Sequence, residues 1–424
     1  MMPSFFILLG LLRLLVPCSC IRLSGEEADI DCSQYKPLFS NIDRDLERWK
    51  SDGISRALME RTLLQHTTRK SGQKGFAAGF WNGRAYLLDP PNLTVTGHHA
   101  LLFIVYLQNL VHLQRSFNIP DVDFVISTID RPLGLNIPPS SKDLPVFRFC
   151  KGDSHADILI PIFHFHMKDY DNSILEKVLQ NDKKYPWRLK KNKIFGRFSL
   201  YNRHVHTQDP SMPKRLGFGG TEICNSTKLV MTCPVRSHFV RWCNQHDDLD
   251  IGSGGHIKML DHAQYKYLVH LDGQGLSSRL DQLLPLNSLV FKEESGYRAF
   301  YHHLLEPYEH FIPFWKERPE EILDALKWAR ENELQAQRIA LQAREVALKY
   351  LNRRARSCYW FKLLSEFSSL LKYKPEPDPG SLYFSSYIPI DEYIANISSR
   401  SSDNGDPALE RLMQSMRAGK SFFP

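Results

Sequence analysis

The sequence has no long apolar segment and little excess charge of either sign. Its one extended apolar run, residues 5–16, is interrupted by Gly10 and Arg13 and is shorter than the ~20 residues that a membrane-spanning helix needs. We therefore predict no stable membrane span. The formal net charge is +7 over 424 residues, and we interpret the one dense basic run, 183–193, as a solvated face beside an anion site. No nucleic-acid partner is expected.

The N-terminus has the pattern of a secretory signal. Small residues at 17–20, PCSC, follow the apolar run and place a cleavage point after Cys20. Residues 1–20 are therefore predicted to be a signal peptide, with the mature chain in the lumen of the secretory pathway, although retention of the segment as an anchor stays open. Residues 420–424, KSFFP, are not a retrieval signal of the lysine-aspartate-glutamate-leucine type, so secretion also stays open.

Cysteine is scarce but suits an oxidising lumen. Loss of the signal peptide leaves an even number, and spacing alone does not fix how they pair. Cys224, Cys233 and Cys243 fit no compact zinc site, so a local disulfide or a free thiol is predicted there. Surface glycosylation is predicted at three Asn-x-Ser/Thr sites. The mature cysteines are Cys32, Cys150, Cys224, Cys233, Cys243 and Cys358, and the sites are Asn92, Asn225 and Asn396.

The first half of the chain has the pattern of an α/β domain. An Asn-Gly turn between aromatic runs predicts a hairpin over 75–89, and the spacing of apolar residues predicts a helix over 98–117. Strands are predicted at 122–128, 146–149 and 158–165. The composition, 42% hydrophobic and 24% charged, is that of a globular protein, and the length suits two domains.

Two candidate sites lie in this half. Asp130 follows the strand 122–128, and ligands of open α/β sheets bind at the carboxyl ends of strands; the alternative is that Asp130 only opens the turn before Pro132. His164 and His166 share one face if 158–165 is a strand. With Asp130 or Asp157 they would indicate a metal-dependent hydrolase, an alternative kept open here.

The second half is organised around residues 261–313. Within it a strand at 265–271, a glycine-containing loop at 272–279, a helix start at 280–284 and a strand at 288–292 form a βαβ unit. Backbone N–H groups in the loop, together with Ser277, Ser278 and Arg279, are suited to a phosphate. The residues alone predict a nucleotide or sugar-phosphate site, with a tight structural turn as the alternative.

The rest of the second half is mostly helical. Helices are predicted at 319–331, 334–351 and 361–371, and they carry no candidate catalytic residue. The segment 201–255 is loop-rich and receives no assignment, and its carboxylates at 247–250 are expected to be solvated. The predicted organisation is a signal peptide at 1–20, α/β domains at 21–185 and 186–350, a helix at 351–374 that returns to the first domain, and a loosely ordered tail at 375–424.

The amino-acid pattern of residues 265–313 resembles that of a known family. The pattern YKYLVHLDGxGxSxRLxxLLxxxSLVFKxES, followed by LEPYEHFIP, is similar to the donor-binding half of CAP10-like glycosyltransferases, and most like the Rumi-like protein O-glucosyltransferases of EGF-like repeats. The resemblance extends over about residues 32–373. It implies a GT-B fold of two Rossmann-like domains with a cleft between them, and C-terminal helices packed back on the first domain.

The resemblance also implies an activity. We expect an inverting, metal-independent transfer of glucose or xylose from UDP-glucose or UDP-xylose to a Ser/Thr hydroxyl of a folded secretory domain such as an EGF-like repeat. No cofactor beyond the donor, a monomer and residence in the endoplasmic reticulum are expected. A glycan or polysaccharide acceptor, and an inactive glycan-binding protein, are the alternatives.

Residue roles follow from the same resemblance. Asp130 takes the place of the catalytic base, and Cys32 is expected to pair with Cys358. Phe195 stands where the family has an arginine near the donor diphosphate, which removes one cation. Phe163, Phe165 and His166 are implied to line the acceptor site. The residues implied to bind the donor are Gly196, Arg197, Ser199, Asp272, Gly273, Gln274, Gly275, Leu276, Ser277, Ser278 and Arg279.

Overall fold

The computed structural model describes most of the chain between residues 30 and 399. The described residues are 30–399 without 68–73, 92, 94–97, 133–134, 136–142, 168, 213–215, 256, 382–383 and 386, together with 410 and 414. The predicted signal peptide and Asn92 lie outside them. Asn225 and Asn396 are both exposed, as glycosylation would require.

Helices occur along the whole described chain and dominate its C-terminal part. The α-helices are α1 (Lys36–Leu46), α2 (Arg56–Thr67), α3 (His99–Ser116), α4 (His164–Met167), α5 (Tyr170–Ser173), α6 (Val178–Lys184), α7 (Val235–Cys243), α8 (Arg279–Leu283), α9 (Glu321–Glu331), α10 (Glu333–Tyr350), α11 (Arg353–Leu370) and α12 (Ile390–Ser399).

The strands are β1 (Gly75–Trp81), β2 (Arg84–Asp89), β3 (Val122–Ser127), β4 (Val146–Arg148), β5 (Ile158–Leu159), β6 (Lys191–Arg197), β7 (Arg203–His206), β8 (Asn225–Ser226), β9 (Val230–Cys233), β10 (Leu249–Gly252), β11 (Tyr265–His270), β12 (Leu289–Glu293), β13 (Ile312–Phe314) and β14 (Ile388–Pro389). They form three sheets. Sheet A has the order β14-β2-β1-β3-β4-β5, sheet B the order β10-β6-β11-β12-β13, and sheet C the order β7-β9-β8. Sheet B is parallel throughout.

The hairpin and the βαβ unit form where the sequence predicts them. Asn82 and Gly83 have φ of 51° and 75°, the left-handed pair that a two-residue hairpin turn needs, and β1 and β2 pair on either side. β11 and β12 run parallel, with the loop 271–278 and α8 between them. The mixed α/β class is confirmed, and both carboxyl-end loops of interest follow parallel-paired strands, β3 and β11.

One local prediction was wrong. The strand predicted over 158–165 ends at Leu159, because Pro161 follows and His164–Met167 is helical. His164 and His166 therefore do not share a strand face. The segment 201–255, which received no assignment, contains sheet C, α7 and β10. The described part of the predicted loose tail contains β14, which pairs with β2, and α12.

The hydrophobic core joins the two halves. One cluster covers sheet A and its helices, and it continues onto one face of sheet B through Phe195, Tyr265, Leu268 and Val290. A second cluster fills the opposite face of sheet B under α7, α9 and α10. Alternation along β11 sends Leu268 into the first cluster and its neighbours into the second. No helix in the described part of the chain has the length and apolarity to cross a membrane.

Disulfides close two loops of very different size. Cys32 pairs with Cys358, as the resemblance implied, with Cα atoms 5.4 Å apart and a sequence separation of 326. Cys224 pairs with Cys233 at a sequence separation of 9, and Cys150 and Cys243 are buried free thiols. The long bridge ties α11 to the segment before α1.

Removal of the long disulfide should destabilise the fold more than removal of the short one. The pair Cys32→Ser and Cys358→Ser is expected to lower the free energy of unfolding by about 2–4 kcal/mol, because cross-linking restricts the unfolded chain more when the closed loop is longer. Urea unfolding of this variant and of the matched pair Cys224→Ser and Cys233→Ser measures the difference. Equal losses would contradict the loop-length account.

Candidate active site

The loop that carries Asp130 and the loop after β11 touch each other. Asp130 follows β3, and Gly275 lies in the loop between β11 and α8. A Cβ atom built on Gly275 would lie 1.8 Å from the carbonyl oxygen of Asp130, a distance that no side chain tolerates. The structure thus brings the two candidate sites predicted from distant parts of the sequence into direct contact.

Asp272 holds the loop after β11 in shape. Its side chain is fully buried and accepts hydrogen bonds from the Ser277 backbone N–H at 2.8 Å and from the Ser295 hydroxyl at 2.5 Å. Both carboxylate oxygens are therefore engaged within the loop and its neighbour. Asp272 shapes the site and is not free to contact a donor in this structure.

A buried ion pair fixes the same loop from below. Arg203 in β7 donates two hydrogen bonds to the Glu293 carboxylate, at 2.6 and 2.8 Å, and one to the Asp272 carbonyl at 3.1 Å. Glu293 in turn accepts from the Asp272 backbone N–H at 3.1 Å. A bidentate pair of this kind fixes the orientation of both partners, so the loop has its shape before any ligand binds.

Two further guanidinium groups lie beside the loop without an ion-pair partner among the described residues. Arg236 in α7 donates to three carbonyls, those of Asp272 (3.1 Å), Ser199 (3.0 Å) and Leu271 (2.8 Å). In Arg279, at the start of α8, the buried Nε and Nη1 have no hydrogen-bond partner within the described chain. This pair of cations, with free donors on Arg279, is suited to a diphosphate.

The pKa values of both groups show the cost of this arrangement. Burial lowers the pKa of Arg279 to about 10. Burial, and then repulsion from Arg279, lower the pKa of Arg236 to about 10. The ring of Phe198 lies 5.1 Å from the Arg279 guanidinium and 5.3 Å from that of Arg236 and stabilises both through its π face. An anion between them would relieve the remaining repulsion.

The predicted element 195–199 contributes less charge than expected. Arg197 donates to the Asp250 carboxylate at 2.5 Å and to the Asp250 carbonyl at 2.7 Å, so its charge is already balanced. Phe195 is buried and stacks on Tyr265 with ring centroids 4.2 Å apart. A Cβ on Gly196 would lie 2.6 Å from Val269. Ser199 offers a carbonyl to Arg236, as described above.

Other loop residues have mixed roles. The Gln274 carbonyl accepts from the Tyr297 hydroxyl at 3.3 Å, and a Cβ on Gly273 would lie 3.2 Å from an Arg236 nitrogen. Leu276 packs against both hydrophobic clusters. Ser277 and Ser278 are half-buried, and their hydroxyls lie at the start of α8. Since α8 is only five residues long, the site depends on its arginines more than on a helix terminus.

Asp130 itself is accessible and electrostatically tuned. The residue is exposed, but protein around its carboxyl raises the pKa through desolvation, against the opposing effect of His98, Arg148 and Lys74. These three groups come from the ends of α3, β4 and β1. A reachable carboxylate of raised pKa is a candidate general base.

A cavity opens beside this loop. It has a volume of about 260 Å³ and extends from Arg131 and Pro132 to sheet C and Tyr297, whose hydroxyl reaches the Gln274 carbonyl. No group of three or more His, Cys, Asp or Glu side chains among the described residues is arranged to hold a metal ion. The remaining lining residues are Leu135, His155, His204, Val205, His206, Asp209, Met212, Leu229 and Val230.

Comparison with known proteins identifies the family. The model of Glycosyl transferase family 90 matches residues 27–388. The chain belongs to this family. It is 26% identical over 380 residues to O-glucosyltransferase rumi of Drosophila pseudoobscura pseudoobscura, a match covering 85% of this chain and 82% of the relative. It is also 26% identical over 294 residues to protein O-glucosyltransferase 2 of Danio rerio (67% and 54%) and 25% identical over 280 residues to protein O-glucosyltransferase 3 of Homo sapiens (64% and 51%).

The residues that the resemblance assigned to an acceptor wall lie elsewhere in this family 90 chain. Phe163, Phe165 and His166 are 5%, 2% and 4% exposed. Phe163 packs edge-on against Phe149, and Phe165 against Tyr170. They are core residues, because the chain turns into α4 where a strand was predicted. The cavity at Arg131 is the better candidate for an acceptor surface.

Sequence reasoning missed the buried arginines. Arg203 and Arg236 reach the Asp272 carbonyl across 69 and 36 residues, from a segment that carried no periodic signal. Tyr297 also escaped notice because its role depends on a contact with Gln274. Glu293 carried no signal either, because it stands at the variable position of the family pattern SLVFKxES.

Enlarging Gly275 should separate the two loops. Gly275→Ala is expected to lower the free energy of unfolding by about 1–3 kcal/mol, since the added methyl overpacks against the Asp130 carbonyl. Urea unfolding measures this. Gly254→Ala is the matched control because its Cβ would meet nothing within 4 Å; an equal effect of the two substitutions would contradict the close approach.

Proposed function

We propose that this family 90 protein is an inverting, UDP-sugar-dependent glycosyltransferase that moves glucose, or xylose, to a Ser/Thr hydroxyl of a folded secretory domain such as an EGF-like repeat. The observation that carries the proposal is the contact of Gly275 with the Asp130 carbonyl, which sets a candidate base beside the loop that carries Arg279 and contacts Arg236. The names of the O-glucosyltransferase relatives support glucose. We further propose the GT-B arrangement, with sheets A and B as the two Rossmann-like cores.

Asp130 is the proposed catalytic residue. Its carboxylate accepts the proton of the acceptor hydroxyl as the oxygen attacks the anomeric carbon. The new carbon–oxygen bond forms while the bond to the UDP oxygen breaks, and the electron pair leaves with UDP. A single in-line displacement inverts the anomeric centre.

Arg279 and Arg236 are the proposed stabilisers of the leaving diphosphate. Their charges are preorganised, half or fully buried, and unmatched by nearby carboxylates of their own, which is where fixed donors act most strongly on developing charge. We propose that they take the place of a divalent cation and that transfer is metal-independent. Arg197 contributes less, because Asp250 already balances it.

The cavity at Arg131 is the proposed entry for the acceptor. It starts one residue after the base and reaches the donor loop through Tyr297. Its lining combines apolar side chains with imidazoles, which suits a peptide segment next to the reacting hydroxyl. A glycan acceptor would use the same cavity, and the assay below distinguishes the two.

The proposed compartment is the lumen of the secretory pathway. Two disulfides in the described chain suit an oxidising environment, in agreement with the predicted signal peptide. Folded EGF-like repeats, themselves disulfide-rich, are found in the same compartment.

Release of UDP tests the function directly. The purified protein is given UDP-glucose or UDP-xylose, with and without a folded EGF-like repeat, in the presence of a chelator. UDP release that depends on the repeat supports the proposal and names the donor. UDP release that depends on a glycan instead would show that the acceptor is a glycan. Release only after a divalent cation is restored would contradict metal independence. No release with either acceptor would contradict the proposed activity.

Removal of the base should abolish transfer and spare the donor. Asp130→Asn is expected to lower kcat by about 10²-fold or more, because positioned bases contribute on that order, while the Kd for UDP stays unchanged. Turnover and calorimetric UDP binding are measured side by side. Asp52→Asn, an exposed carboxylate before α2, is the control, and undiminished turnover of Asp130→Asn would remove Asp130 from the base role.

The transfer activity should fall as the pH is lowered. Asp130 must be ionised to accept a proton, so kcat/KM is expected to rise with pH through its pKa and then level off. Because desolvation raises that pKa above 3.8, the midpoint of the acid limb should lie above the range of an ordinary aspartate. A profile flat down to that range would oppose this assignment.

Loss of the free guanidinium should weaken donor binding. Arg279→Ala is expected to raise the Kd for UDP by about tenfold or more, since a hydrogen-bonded charge contributes about 1.5–3 kcal/mol. Calorimetry measures the affinity. The control is Arg241→Ala, an exposed arginine on α7; equal affinities of both variants would place the diphosphate elsewhere.

A further inference from the structure

Three successive backbone carbonyls around Asp130 are held by side chains from the neighbouring strand. The guanidinium of Arg148 donates to the Ile129 carbonyl at 2.5 Å and to the Arg131 carbonyl. The thiol of Cys150 donates to the carbonyl between them, that of Asp130, at 3.0 Å. The backbone on both sides of the base is therefore fixed from below.

The clamping groups are themselves immobile. Arg148 and Cys150 are fully buried. The Arg148 guanidinium also donates to the Ser127 hydroxyl at 3.1 Å and has its Nε 3.6 Å from the Asp157 carboxylate. β4 pairs in parallel with β3, so its end and the end of β3 emerge side by side. A group so enclosed has little freedom to follow the loop if the loop moves.

The Asp130 carbonyl that Cys150 holds is also the one that meets the donor loop. The thiol donates to this oxygen at 3.0 Å, and a Cβ on Gly275 would lie 1.8 Å from it. Burial raises the pKa of the thiol to about 12, so the thiol keeps the proton that it donates. Cys150 thus fixes the oxygen against which the donor loop packs.

We propose that Arg148 and Cys150 are positioning residues that set the distance and orientation of Asp130 relative to the donor loop. This inference rests on the proposed function for its catalytic consequence, but not for the clamp itself. Neither residue contacts substrate. Arg148 acts by fixing the backbone and by its charge, and Cys150 by holding the Asp130 carbonyl against which Gly275 packs.

The thiol hydrogen bond is tested with a conservative pair. Cys150→Ala removes the donor to the Asp130 carbonyl, whereas Cys150→Ser keeps one. Cys150→Ala is expected to lower kcat by roughly tenfold, the effect of one hydrogen bond at its upper range, with the Kd for UDP unchanged and Cys150→Ser close to wild type. Equal kcat values for the two variants would overturn this role of Cys150.

The charge of Arg148 is tested through the pH profile. The charged groups that face Asp130 are His98, Lys74 and Arg148. Removal of one of these cations should raise the midpoint of the acid limb, so Arg148→Met is expected to move it upward and Arg148→Lys to move it less. A purely structural role would lower the folded fraction and leave the midpoint in place, and that result would overturn the electrostatic part of the proposal.

Hydrogen–deuterium exchange keeps the proposal decidable if a variant folds poorly or the protein shows no transfer. In the full-length Cys150→Ala protein, peptides covering 127–132 and 272–279 should exchange faster than in wild type and in Cys150→Ser. Unchanged exchange in both peptides would overturn the clamp. Faster exchange in a protein that transfers no sugar would support the clamp and reject only the proposed function.

Discussion

The close approach of Gly275 to the Asp130 carbonyl is the constraint on which the site depends. A side chain at position 275 would have to occupy the space of a backbone oxygen, so glycine is required there for lack of volume, not for an unusual backbone angle. This contact joins a loop of sheet A to a loop of sheet B. The candidate base lies on the loop at one side of this contact, and the cations lie next to the loop at the other side.

The buried charges divide into two functions. Arg203 is matched by Glu293, and Arg197 by Asp250, so these pairs hold structure and add little net field. Arg236 and Arg279 are not matched, and burial lowers the pKa of both. Since burying an unpaired charge is costly, their persistence side by side is best explained by an anionic ligand that completes the balance.

The sequence predicted the parts of this site that depend on local pattern. The βαβ unit, the hairpin and the strand before Asp130 follow from turn residues and periodicity within short windows. The places of Asp130 and the loop 272–279 at strand ends made them candidates, the family resemblance assigned their roles, and the structure brings them together. The family pattern supplied the Cys32–Cys358 pairing, which spacing alone left open.

The parts that were missed depend on tertiary contact. Arg203 and Arg236 acquire their roles only when β7 and α7 pack under a loop many residues away, and no local signal marks them. The strand predicted at 158–165 failed because a short apolar run does not distinguish a strand from a buried turn that leads into a helix. Phe163, Phe165 and His166 were consequently assigned to a surface that they do not reach.

The surroundings of Phe195 suit a phenylalanine better than the arginine that the family has at this position. An arginine at that position would point into the packed face that holds Tyr265 and His262, and burial there would need its own counter-charge. Phe195 instead stacks on Tyr265 and lies under the guanidinium of Arg197, 4.5 Å from ring to charge. The aromatic ring thus supports Arg197 in its pairing with Asp250. The positive charge available to the proposed diphosphate is thereby concentrated on Arg236 and Arg279, which share the ring of Phe198.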